Sequence, residues 1–213
     1  MQRTLLLSWI LFFTAVSIYG ETVFQDGFNR NGNLIGSVPE KRSGAERWAG
    51  YAIDSWRSSS GSIAVKDCSG NRNAWLGFTP ESGKIYKYSV EYDIASGSFG
   101  IGFATNLTGV GGLGLFQFDA ASMRVNSSGK LEIGMDNGSV GSLVAPDGIK
   151  AATKGTMAMI LNTTGTPWSV EWQLNGNTIR TGTFTTKPSI LGIVIGASSG
   201  TSKVTALTLL SVE

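Results

Sequence analysis

The 213-residue chain contains no histidine, a single cysteine (Cys68) and only five prolines. Without an imidazole there is no Ser-His-Asp or Cys-His nucleophile, no HExxH zinc site and no histidine general base. One cysteine excludes a disulfide within the chain. An excess of one charge is lacking too: 17 basic and 15 acidic side chains give a formal net charge of +2. They form no run along the chain, so the sequence carries no electrostatic footprint for nucleic acid or for an anionic membrane. Carboxylate chemistry, cation binding through oxygen, and surface recognition remain.

Long apolar runs are scarce beyond the start. Residues 1–20 carry Arg3 as their one charge, then the apolar run from Leu5 to Phe13, then small residues at Ala15, Ser17 and Gly20. This is the layout of a helical signal peptide, with cleavage expected after Gly20 or, second, Ser17. The run is shorter than the ~20 apolar residues of a spanning helix, and no second span or C-terminal anchor follows. The expected product is residues 21–213, a single domain secreted to the extracellular space or the cell envelope, with no stable membrane span.

Glycine is plentiful, at 29 residues, and punctuates short apolar runs that alternate with a period of two. Tyr86, Tyr88, Val90, Tyr92 and Ile94 share one face; Lys87, Ser89, Glu91 and Asp93 share the other. Phe99, Ile101 and Phe103 alternate with glycines, and Leu131, Ile133 and Met135 with polar residues. Half-buried strands have this pattern and helices do not. Strands are expected at about 23–28, 47–53, 62–65, 74–78, 84–94, 99–104, 113–119, 123–126, 130–136, 156–162, 168–174, 177–184, 190–195 and 203–212. The fold class is all-β, with two packed antiparallel sheets. Asn175-Gly176 marks a type I′ hairpin, which in perfect register sets Trp172 opposite Ile179 and Glu171 opposite Arg180. Trp168 and Trp172 share a face with Val170 and Leu174 and read as core; Trp75, between Ala74 and Leu76, reads as core too.

The mature chain resembles the concanavalin A-like, or LamG-type, jelly-roll superfamily. The resemblance rests on the opening strand Val23-Phe24-Gln25-Asp26-Gly27-Phe28-Asn29-Arg30, on Gly36-Ser37-Val38-Pro39 and Trp48, and on Ala74 to Phe78 leading into Tyr86 to Val90. Gly100-Ile101-Gly102-Phe103, the Trp172 to Gly176 hairpin and a last strand near 204–212 complete it. It implies a jelly-roll sandwich whose first and last strands lie in one sheet. Glycosidases of this type carry E-x-D-x-x-E on one strand; the corresponding text here is Glu91-Tyr92-Asp93-Ile94-Ala95-Ser96, without the third carboxylate. Lyases of the type use a tyrosine or histidine base with an arginine and an amide, and no such cluster stands out.

The expectation is therefore a protein that is not an enzyme and recognises a glycan or an extracellular protein. The alternative is a structural subunit of an extracellular assembly, with homo-oligomers, and a divergent carbohydrate-active enzyme comes third. Binding without chemistry needs an aromatic plate and polar side chains. Trp56, set among Asp54, Ser55, Arg57 and three serines, and Trp48, after Glu46 and Arg47, are the candidate plates, unless they fold back onto the sandwich. Asp54, Arg57, Glu91 and Asp93 are the candidate polar contacts. No cofactor is required; calcium is the one ion the residues leave open, at Asp119, Asp136 and Asn137, which otherwise read as turn caps. Sequons begin at Asn106, Asn126, Asn137 and Asn162. Cys68 reads as a loop thiol, inert or joining two chains, and the glycines of 105–114 as a strand connection.

Overall fold

A computed structural model describes residues 20–50, 54–65, 71–107, 119–135, 148–198 and 201–212, with Asn71 and Asp119 described in their backbone only. The signal segment, Cys68, Asp136, Asn137 and most of the 113–119 strand lie outside these residues.

Sixteen strands occupy the described residues. The first eight are β1 (Glu21–Asp26), β2 (Gly32–Asn33), β3 (Lys41–Arg42), β4 (Ala49–Gly50), β5 (Trp56–Ser59), β6 (Ser62–Val65), β7 (Asn71–Gly77) and β8 (Ile85–Ile94). Then come β9 (Ser98–Ala104), β10 (Asp119–Asn126), β11 (Leu131–Met135), β12 (Lys154–Asn162), β13 (Ser169–Leu174), β14 (Asn177–Thr183), β15 (Gly192–Ser198) and β16 (Ser202–Val212). Ten form one sheet in the order β14-β13-β12-β8-β16-β6-β5-β2, with β1 on β16 and β3 on β1. The other six form a sheet in the order β11-β10-β9-β15-β7-β4. The chain is thus an all-β, antiparallel two-sheet sandwich, with first and last strands paired from Glu21↔Ser211 to Asp26↔Leu207. Among the described residues no helix is long and apolar enough to cross a membrane.

Period-two alternation builds the core. On β8, Tyr86, Tyr88, Val90, Tyr92 and Ile94 point inward, and they meet Phe99, Ile101 and Phe103 of β9 and Ile193 and Ile195 of β15 from the opposite sheet. Buried aromatic side chains need a partner for their polar tips. The Tyr88 hydroxyl donates to the Val194 carbonyl at 3.0 Å, and the Trp172 indole N–H donates to the Ser122 carbonyl at 2.8 Å. Both bonds tie one sheet to the other. Trp168 and Trp172 lie in the core as expected.

The hairpin turn has positive φ at both Asn175 (51°) and Gly176 (78°), as a type I′ turn demands. Its register differs from the perfect ladder. Leu174 faces Asn177 and Gln173 faces Thr178, but a bulge then sets Trp172 opposite Arg180 and Glu171 opposite Thr181. The extra residue is Ile179, and turn chemistry does not encode it. Glu171 takes hydrogen bonds from Thr178 and Gln173 instead of pairing with Arg180. Trp75 is a second correction. Ala74 and Leu76 face inward, so their neighbour faces outward; Trp75 is half-buried in a small outer cluster with Ala104, Val194 and Leu107.

The start of the domain is held by one carboxylate. Asp26 is fully buried, and its two oxygens accept four hydrogen bonds. The Phe28 amide (3.0 Å) and Arg30 Nη1 (2.7 Å) donate to Oδ1. Arg30 Nη2 (2.6 Å) and Trp48 Nε1 (2.8 Å) donate to Oδ2. Phe28 takes a positive φ of 58° to close the turn, and the Arg30 guanidinium lies 5.8 Å from the centre of its ring.

Candidate functional site

The candidates named from sequence do not converge. Trp56 and Trp48 are buried at 0% and 1% exposure, so neither offers a plate to solvent. The polar run around Trp56 is the strand β5, in which Trp56 and Ser58 point inward while Arg57 and Ser59 point outward. Trp48 is drawn in by its indole bond to Asp26. Asp54 is exposed, just before β5. Glu91 and Asp93 sit on the outer face of the ten-stranded sheet, where Glu91 accepts a hydrogen bond from the Thr205 hydroxyl at 3.1 Å. Asp119 is the first residue of β10. Among the described residues no group of three or more acidic or cysteine side chains is placed to hold a metal.

A polar basin appears instead on the outer face of the six-stranded sheet, with a volume of about 320 Å³. Strand register builds it. Arg124 of β10 lies opposite Glu132 of β11 and Gly100 of β9, while Asn126 lies opposite Ser98, which lies opposite Ser198 of β15. Arg124 and Glu132 form one wall; the small residues Gly97, Ser98 and Ser198 leave space beside it.

The Glu132 carboxylate takes hydrogen bonds from Arg124 Nε and Nη2, and Lys130 Nζ lies 2.8 Å from its other oxygen. Burial pushes the Glu132 carboxyl up, but the Lys130 and Arg124 bonds outweigh it and hold it below the usual carboxylate range. Asn126 Oδ1 is occupied by the Ser128 amide and hydroxyl and the Lys130 amide, which fix the β10–β11 turn. The Ser98 and Ser198 hydroxyls bond to each other. The basin therefore gathers two cationic donors, a carboxylate acceptor, an amide and two hydroxyls from four strands and the β10–β11 turn. Sequence reasoning missed it because its members come from four strands; the signal available was the alternation that pointed Arg124, Asn126 and Glu132 away from the core.

No family model and no curated protein matches the chain. Solved structures do. An endo-1,3-β-glucanase from Streptomyces sioyaensis aligns with a TM-score of 0.55 at 15% identity, covering 90% of this chain and 96% of that one. The carbohydrate recognition domain of Emp47p aligns with a TM-score of 0.52 at 11% identity, covering 88% and 96%. A sialidase aligns with a TM-score of 0.54 at 9% identity over 89% of this chain, which spans 18% of the sialidase's length. The likeness is one of fold, the concanavalin A-like jelly roll.

Proposed function

We propose that the chain is an exported, non-catalytic jelly-roll domain that recognises glycans through the basin on its six-stranded sheet. The observation that carries this reading is the joining of Arg124, Lys130 and Glu132 with Asn126, Ser98 and Ser198 around one depression. Sugar hydroxyls both donate and accept, and a hydrogen-bonded cation–carboxylate pair offers both partners side by side. Strand residues locked by their own bonds are pre-organised, which limits the ordering cost of binding. The fold supports the reading by analogy, since a carbohydrate recognition domain and a glucanase share it.

Retention of the purified protein on immobilised neutral polysaccharides, followed by calorimetry on oligosaccharides, tests it. Arg124→Gln should weaken binding about tenfold, the order of one charge-assisted hydrogen bond. Failure to bind any glycan in a broad panel, or binding indifferent to Arg124→Gln and Lys130→Gln, refutes the reading. A second reading, assembly between copies, is favoured by β14, a seven-residue edge strand exposed along most of its length. A single sedimenting monomer across a hundredfold range of concentration would exclude it.

A further inference from the structure

The outer face of the ten-stranded sheet carries a second arrangement, made by register alone. Lys154 of β12 lies opposite Asp93 of β8, which lies opposite Lys203 of β16. Lys203 lies opposite Ala64 of β6, and Ala64 opposite Arg57 of β5. One row across five strands therefore reads Lys154, Asp93, Lys203, Ala64, Arg57. The three cations are exposed, and among the described residues none of them makes an ion pair. They stand on every second strand. With adjacent strands about 4.8 Å apart, successive cations recur about every 10 Å along the row. One rung away lies a hollow of about 80 Å³ lined by Ser89, Glu91, Thr156 and Thr208.

We propose that this row is a docking surface for an anionic polysaccharide lying across the strands, one whose carboxylate or sulfate recurs with each disaccharide. The spacing suits that repeat: each cation meets an acidic group, and the intervening sugars pass over Asp93 and Ala64. The hollow alongside offers the hydroxyls of Ser89, Thr156 and Thr208 and the Glu91 carboxylate to the hydroxyls of the neutral sugars. Nucleic acid fits the row less well. Its charge is dense along the strand, and Asp93 between two lysines and Glu91 on the next rung oppose a continuous line of phosphates. The surface is separate from the basin and acts on a different ligand chemistry.

Hyaluronate, with a carboxylate on every second sugar, is the probe, with dextran and duplex DNA as comparisons. The purified protein should be retained on hyaluronate, its affinity falling as salt rises, and should bind DNA more weakly. The triple variant Arg57→Gln, Lys154→Gln, Lys203→Gln alters exposed positions only and should lose at least tenfold in hyaluronate affinity with an unchanged melting temperature. Arg124→Gln in the basin should leave hyaluronate binding intact, and the triple variant should leave neutral-glycan binding intact. Absence of hyaluronate binding, retention unaffected by the triple variant, or tighter binding to DNA than to hyaluronate overturns the proposal, whatever happens at the basin.

Discussion

Replacing Asp26 by asparagine keeps the shape of the side chain and changes its chemistry. Oδ1 would still accept from the Phe28 amide and Arg30 Nη1. The new amide nitrogen, however, would be a donor facing two donors, Arg30 Nη2 and Trp48 Nε1. Removing one partner of a buried ion pair costs about 3–5 kcal/mol. Arg30 keeps 24% of its side chain in water and a bond from Nε to Ser37, which argues for the lower end. Two of the four bonds survive, which lowers the cost further, whereas stranding the buried indole N–H adds about 1–3 kcal/mol. The balance is a loss of about 3 kcal/mol. For a domain of this size that is a fall in melting temperature of about 6–12 °C. Urea unfolding followed by tryptophan fluorescence reads it directly. The cycle with Arg30→Gln should show coupling above about 1.5 kcal/mol, because the two side chains share two bonds. A loss under 1 kcal/mol for Asp26→Asn, or additive losses in the cycle, would mean that the carboxylate does not hold the start of the domain.

Four further outcomes are expected. Gly176→Ala forces a side chain into φ of 78° and should cost about 1–2 kcal/mol by urea unfolding; no change would contradict the type I′ turn. Burial pushes the Tyr92 phenol up to about 12, so the folded state holds this proton more tightly than the unfolded one. Stability from Tyr92 is then full below pH 10 and lost as pH rises from about 10 to 12; the late-titrating part of the phenolate absorbance should shrink by one tyrosine in Tyr92→Phe. The Glu132 carboxyl is held low by Lys130 and Arg124, so its contribution is present above the ordinary glutamate value and lost as pH falls through its folded one. Glu132→Gln should cost under about 1 kcal/mol at pH 7 and remove that part of the acid dependence, measured by denaturation midpoints from pH 7 to 3. Ser96→Glu, which completes the text E-x-D-x-x-E, should release no reducing sugar from β-glucans; turnover abolished again by Glu91→Gln would refute the structural reason given below.

The architecture was largely legible because burial on one face of a strand enforces a period of two. The tyrosines of β8, the phenylalanines of β9 and Val170, Trp172 and Leu174 of β13 all read this way, and all lie inward as the alternation requires. Structure and sequence pattern part where a residue's neighbours do not share its face. Trp56 looked exposed because its neighbours are polar, yet alternation within β5 turns those neighbours outward and the ring inward. Trp75 looked buried because its neighbours are apolar, and the same rule turns it out. The bulge at Ile179 shifts the pairing beyond the turn, which no local signal specifies. Both surface sites were illegible for a common reason. Arg124 and Ser198, or Arg57, Lys203 and Lys154, are distant in sequence and come onto one surface only through the order in which strands pair. The even scatter of charge along the chain therefore did not exclude a row of cations on one face.

Strand geometry also bears on the proposal that the chain recognises glycans without hydrolysing them. Glu91 and Asp93 share the outer face of β8 about 6–7 Å apart along the strand, a separation that alone resembles part of a glycosidase pair. The third acidic position of the motif would fall at Ser96. But β8 ends at Ile94, and the amides of Ala95 and Ser96 both bond to the Thr201 carbonyl while the Ser96 hydroxyl accepts from the Thr201 amide. Position 96 is therefore clamped in the turn that leads into β9, off the face that carries Glu91 and Asp93. A carboxylate there would sit at the end of the sheet and could not stand across a sugar from Glu91. What the face retains is a carboxylate bonded to a threonine hydroxyl and another set between two lysines. That arrangement can hold a polar chain in place, and it supplies no second acid positioned across the bond that a hydrolase must break.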